Sequence, residues 1–216
     1  MASPEPITPE RLLSALQWRY ATQRFDPSRP IPDAAWSAIL ESLRLAPSGF
    51  GLQPWRIVSV ESPSLRRALS AASWDQPQVL EAPRLLVLCR RDRVESLDVE
   101  RLIALARGQR AISDEEAAQW RAGLASFVES GAATDQWAAR QVYLALGVLA
   151  AAAAVLGVDA CPLEGIDPPA YDRELGLAGT GYRTVVAVAL GYRAAGDPAA
   201  TAVKLRFPQA EVFTRA

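Results

Sequence analysis

The sequence predicts an α+β fold, on three observations. Helical patterns outnumber strand patterns, and the strands do not alternate with helices in a regular βαβ rhythm. One nearly continuous apolar run, RTVVAVALGY at 183–192, has the length and content of a strand at the centre of a sheet. The third observation is the uncharged run VYLALGVLAAAAAVLGV at 142–158. It is short and Ala-rich for a bilayer span, which needs about 20 strongly apolar residues, so it predicts a buried helix. Its small faces suit close packing on other helices, within the subunit or across a dimer interface, and the dimer is favoured.

The elements follow in order. Thr8 is a ready N-cap with Pro9 at the first helical position, opening a helix with Leu12, Leu13 and Leu16 on one face and an end near Arg19. A second helix starts around Asp33, carries Trp36, Ile39, Leu40 and Leu43 at helical spacing, and stops at Pro47. RIVSV at 56–60 and RLLVLC at 84–89 read as strands, separated by a helix near 64–72. Residues 94–105 and 114–128 read as charged helices, and a break at 131–134 leads into the apolar helix. The stretch at about 92–134 is expected to be a solvent-facing insertion or lid. DACPLEGID at 159–167 follows the apolar helix directly and holds a Pro-x-Glu-Gly turn at 162–165, and the chain after Gly196 reads as an extended arm, 196–216. No repeat or linker divides the 216 residues, so one domain is expected, large enough to bury roughly 70% of its unfolded surface.

Composition narrows the chemistry. With 23 Lys and Arg against 24 Asp and Glu, no broad basic surface would draw nucleic acid or an anionic membrane, and neither is expected as a partner. The absence of His excludes Ser-His-Asp triads, imidazole acid–base catalysis and His-ligated metals, and no metal site is expected. Cys89 and Cys161 have no C-x-x-C spacing and read as reduced, buried thiols. The start MASPEPITPERLL lacks the apolar run of an export signal and reads as a short arm, so a reducing, cytoplasmic location is expected.

The glycines of GLAGTGYRT at 176–184 precede a strand instead of following one into a helix, so this is a turn and no dinucleotide fingerprint. Four other stretches have unusual composition. WRYATQRFDP at 18–27 places Arg19 at a helix end. APSGFGLQPW at 46–55 combines glycines, which permit close backbone approach to a flat ligand, with prolines that fix the loop beforehand. The Pro-x-Glu-Gly of 162–165 can aim successive backbone N–H groups at an acceptor atom. KLRFP at 204–208 sets two cations on one side of an extended arm, a geometry suited to phosphate.

In this order, and with DQPQV at 75–79 and WAARQVYLALG at 137–147, these stretches resemble the FMN-dependent NAD(P)H nitroreductase family from Arg19 to Pro208. The resemblance implies a central, mostly antiparallel sheet surrounded by helices, in an intertwined homodimer whose C-terminal arms exchange. It implies FMN as cofactor and NADH or NADPH as reductant. Hydride would pass through flavin N5 to a nitroaromatic, quinone or related small acceptor by alternating, ping-pong turnover, with no obligatory side-chain acid or base.

By the same resemblance, Arg19, Lys204 and Arg206 grip the FMN phosphate and ribityl chain, with Tyr20 and Ala21 beside them. Pro162, Leu163, Glu164 and Gly165 form the turn over the isoalloxazine, the Glu164 and Gly165 N–H groups directed at N5 and O4. Pro47, Ser48, Gly49 and Gly51 reach the flavin of the partner subunit. Gln23, Asp75 and Gln78 lie near the flavin edge and depart from the family pattern. Gln23 replaces a usual Lys or Arg, Asp75 a common Asn, Gln78 a Lys of some members, and Gly49 a frequent Ser. Loss of a cation near N1 and O2 lowers the flavin potential. These departures motivate the alternative of a non-catalytic dimeric flavin-binding or flavin-storage protein. Phe50, Trp74, Trp120 and Phe127 are candidates for lining the acceptor pocket.

Overall fold

The structure, a computed structural model, describes residues 5–215. The first four residues of the N-terminal arm lie outside the described residues. Four antiparallel strands form one sheet in the order β1-β2-β4-β3, from β1 (Trp55–Ser59), β2 (Arg84–Arg91), β3 (Asp159–Leu163) and β4 (Tyr182–Gly191). The apolar run at 183–192 is thus an inner strand, flanked on both sides.

Period-2 alternation divides β2 between two cores. Leu85, Val87 and Cys89 enter a cluster with Phe25, Leu69 and Tyr171, whereas Leu86 and Leu88 join Ile39, Leu43, Val142 and Leu149. Ala187 and Ala189 of β4 follow the first set, and Val186, Val188 and Leu190 the second. With both faces covered, neither strand shows the polar alternation of a half-exposed sheet, which is why both read as continuous apolar runs.

One helical layer holds α3 (Pro63–Ala71) and α8 (Pro168–Glu174), and the other α2 (Asp33–Arg44) and α7 (Asp135–Val155). The α7 helix is long and apolar enough to cross a membrane by length and composition. Ala138, Val142, Ala145, Leu149 and Ala153 are nevertheless buried, and the helix packs on α2, β2 and α1 (Pro9–Trp18). Its other side leaves Tyr143, Leu144, Val155 and Leu156 exposed.

Between β2 and α7, α5 (Ser96–Arg110) and α6 (Asp114–Glu129) form a hairpin with its own small core of Val99, Ile103, Ala117 and Leu124. Short helices α4 (Gln78–Glu81) and α9 (Gln209–Val212) complete the chain.

The expected Pro-x-Glu-Gly turn at 162–165 is corrected at its start: Pro162 and Leu163 end strand β3, Asp159–Leu163, paired with β4 from Asp159↔Gly191 to Leu163↔Ala187. Pro162 cannot donate to a ladder, but β3 is an edge strand, where that loss is tolerated. The turn proper is Glu164–Ile166, closed by the Ile166 N–H donating to the Glu164 carbonyl at 2.9 Å. Helix α8 adds to the expected elements: Asp167 caps it through the Ala170 N–H and Pro168 opens it.

Candidate functional site

The fold brings the first and last of the four unusual stretches together. Arg19, Tyr20 and Ala21 line a cleft of about 680 Å³ with Pro162, Lys204 and Arg206. Helix α1 ends at Trp18, and Arg19 is its extended C-cap (φ −68°, ψ 142°). Ala21 then forms a parallel bridge with Ala160, which lays the segment along β3 and beside Pro162.

Lys204 reaches the same point from the other end of the chain. Its Nζ donates to the Leu16 carbonyl at 2.7 Å and to the Arg19 carbonyl, meeting the negative end of α1. Burial, then the Arg19 and Arg206 charges, hold the Lys204 ammonium below its usual range. None of the three cations forms an ion pair among the described residues, and no acidic side chain lines the cleft. The Tyr20 hydroxyl is buried without a hydrogen-bond partner. Three cationic residues thus line one cleft, with Arg206 Nη1 donating to the Leu205 carbonyl at 2.6 Å.

Beyond Pro162, Leu163 is buried and Glu164 exposed. The Glu164 carboxylate accepts the Tyr143 hydroxyl from α7. Gln76 Nε2 donates to the Gly165 carbonyl at 2.7 Å, and Trp74 covers Gly165 so closely that an added Cβ would lie 2.6 Å from its ring. Asp75 follows in the left-handed region (φ 54°), exposed. Gln78 is buried beneath, its Nε2 4.0 Å from Cys161 Sγ and its Oε1 unpartnered. The 74–78 loop and the 162–165 turn are therefore one unit.

Gln23 is exposed, and its backbone N–H donates to Asp197 at 2.7 Å. The loop with Pro47, Ser48, Gly49 and Gly51 is elsewhere, and none of its residues lines the Arg19 cleft of the same chain. Its shape is set by α7: Gly49 N–H donates to Gln141 Oε1 at 2.8 Å, and an added Cβ at Gly49 would lie 2.7 Å from Trp137. Ser48 Oγ accepts the Gln53 N–H at 2.9 Å. Phe50, Phe127 and Trp137 stack in series with centroid separations of 4.8 and 5.1 Å, joining this loop to α6.

The sequence profile of the nitroreductase family matches residues 16–192. This chain belongs to the nitroreductase family. It is 32% identical over 213 residues to the oxygen-insensitive NAD(P)H nitroreductase of Salmonella typhimurium, covering 94% of this chain and 98% of that one. A nitroreductase-like protein of Streptococcus mutans has the same fold, with a TM-score of 0.83, 24% identity and coverage of 96% and 98%. A candidate nitroreductase of Exiguobacterium sibiricum in complex with FMN superposes with a TM-score of 0.81 at 18% identity, over 99% and 100% of the two chains. The nitroreductase fold thus accounts for nearly the whole chain, as an oxidoreductase scaffold.

Tyr143, Gln76 and Gln141 are brought to the site by the fold and are not marked by the sequence as site residues. Tyr143 and Gln141 lay within the WAARQVYLALG motif, where helical spacing could have placed Gln141 on the buried face and Tyr143 beside it.

Proposed function

We propose that this protein is an FMN-dependent NAD(P)H oxidoreductase acting on nitroaromatics, quinones or related small acceptors. The observation that carries the reading is the convergence of Arg19, Lys204 and Arg206 on one cleft that holds no acid. Two or three charge-assisted bonds to a phosphate dianion there would contribute roughly 1.5–3 kcal/mol each. Tyr20, whose buried hydroxyl has no hydrogen-bond partner, also lines this cleft.

Bound FMN would supply the redox chemistry, accepting two electrons from NADH or NADPH and passing them to the acceptor in alternation. The chain's own part is to bind and orient. Arg19, Lys204 and Arg206 would anchor the phosphate, with Tyr20 and Ala21 alongside. Pro162, Leu163, Glu164 and Gly165 would present backbone N–H groups to the ring, stiffened by the Gln76 and Tyr143 bonds to that turn. Asp75, Gln78 and Gln23 would flank the ring edge. Pro47, Ser48, Gly49 and Gly51 would reach the cofactor of a second subunit, with the 92–134 hairpin as a lid over the acceptor.

The homodimer is supported by apolar surface otherwise facing water. Leu12 and Leu13 of α1, Leu144 and Val155 of α7, and Val203, Leu205 and Phe207 of the arm are all exposed, the last three by 78–85%. An arm of this character suits exchange between subunits. A cytoplasmic location accords with two free, buried thiols.

The test is to purify the protein with FMN and add NADH or NADPH without oxygen. Bleaching of the yellow colour, then its return on adding a quinone, with parallel lines in double-reciprocal plots, is the expected outcome. Retained colour would favour a flavin-storage protein, and a colourless protein that takes up no FMN would remove the reading.

A further inference from the structure

Behind the cleft lies an arrangement that no sequence motif marks. Arg193 follows the end of β4 by two residues, and it closes on Asp159, the first residue of β3. Its backbone N–H donates to Asp159 Oδ2 at 2.8 Å, its Nε to Oδ1 at 3.0 Å, and its Nη2 to Oδ1 at 2.6 Å. Asp159 is 2% exposed and also accepts the Thr22 hydroxyl at 3.3 Å. The guanidinium plane is thereby fixed. Two aromatic rings lie on it, with Trp18 4.2 Å and Tyr20 4.4 Å from its carbon.

Trp18 and Tyr20 are the two neighbours of Arg19. Helix α1 ends at Trp18 and the backbone turns extended at Arg19. Fixing the side chains on both sides of Arg19 against Arg193 pins the backbone from which Arg19 enters the cleft that it lines with Lys204 and Arg206.

A second buried carboxylate secures the remainder. Asp197, 5% exposed, accepts the N–H groups of Gln23 at 2.7 Å, Arg24 at 2.8 Å and Ala199 at 2.7 Å. That ties the segment after Arg19 to the segment leading into Lys204.

We propose that Arg193 is a positioning residue for the phosphate grip, aiming Arg19 by stacking on the residues either side of it. Asp159 neutralises Arg193, so what Arg193 adds to the cleft is geometry and not net charge. Buried ion pairs are often no more stabilising than apolar replacements, so a role in orientation gives this one a reason to be present. The inference rests on the FMN reading above, and it concerns how strongly the protein distinguishes FMN from riboflavin, which lacks the phosphate.

The experiment measures dissociation constants for both flavins by fluorescence quenching, in the wild type, in Arg193→Lys and in the charge-neutral pair Asp159→Asn/Arg193→Met. Lysine keeps the charge but has no planar fork to stack on two rings, so it should not rescue the interaction. The pair variant avoids stranding a buried carboxylate, and circular dichroism with thermal melting checks its fold. In both variants the preference for FMN over riboflavin should fall about tenfold or more, with riboflavin affinity within about twofold of wild type, as for loss of one charge-assisted phosphate bond. An unchanged preference, or equal weakening toward both flavins, would overturn the inference while leaving the FMN reading in place. A wild type that binds neither flavin would instead remove that reading, and this inference with it.

Discussion

Tyr143 of α7 donates its hydroxyl hydrogen to the carboxylate of Glu164, the residue with which the chain leaves β3. The contact joins the long apolar helix to the turn proposed to face the flavin. Burial first, then the hydrogen bond and the charge of Glu164, push the Tyr143 hydroxyl up to about 12 from an ordinary 10.0.

The pH dependence follows. Between 10 and about 12 the folded protein keeps the Tyr143 proton while the unfolded chain releases it. Unfolding then releases a proton, so the stability that this group contributes is fully present below pH 10 and is lost as pH rises through that window. In urea titrations across the window, the midpoint of Tyr143→Phe should fall less steeply than that of the wild type. A residual slope is expected, because burial also raises Tyr20 and Tyr171. Coincident slopes would show that the bond is not held in solution.

The two thiols should be inert in the folded state. Burial pushes Cys89 up to about 12 and Cys161 up to about 11. At pH 8 the thiolate fraction of even the more acidic one is about 0.1%, and neither sulfur is open to a reagent. A disulfide-exchange reagent should therefore titrate no thiol in native protein and two after denaturation. Rapid native reaction of one would contradict the burial at that site.

Gly191 and Gly108 make opposite predictions for the same substitution. An added Cβ at Gly191, the last residue of β4, would collide with the Pro83 ring and come 3.0 Å from buried Phe25, neither of which can turn aside cheaply. Gly191→Ala should cost about 1–3 kcal/mol. Gly108 lies inside α5 with nothing within 4 Å, so Gly108→Ala should gain up to about 1 kcal/mol of helix propensity. Denaturant melts of the two variants check the sign of each.

The sequence made the sheet's inner strand, the capped α1 and the apolar α7 legible because each depends on local pattern. β3 was hidden because Pro162 reads as a turn residue, and only its place at the sheet edge, a property of the whole topology, makes it a strand. Arg19, Lys204 and Arg206 could be chosen from a family pattern. Asp159, Arg193 and Asp197 could not, because a lone charged residue looks like solvated surface until the fold brings its partner in. Asp159 and Arg193 are 34 positions apart, and Asp197 serves N–H groups more than 170 positions away.

Asp197 fixes the backbone of Gln23, while the Gln23 side chain is uncharged and exposed. If Gln23 stands at the pyrimidine edge, as the family resemblance implies, a cation there would favour the anionic reduced flavin over the neutral oxidised one. Gln23→Lys should then raise the two-electron potential by about tens of millivolts, where roughly 30 mV corresponds to 1.4 kcal/mol. Its FMN affinity should be at least as high as that of the wild type. Asp75→Asn, which removes a carboxylate from the loop packed on Gly165, should act in the same direction. Equilibration with a reference dye under anaerobic reduction reads the potential directly. An unchanged or lower value in Gln23→Lys would place residue 23 away from the pyrimidine edge.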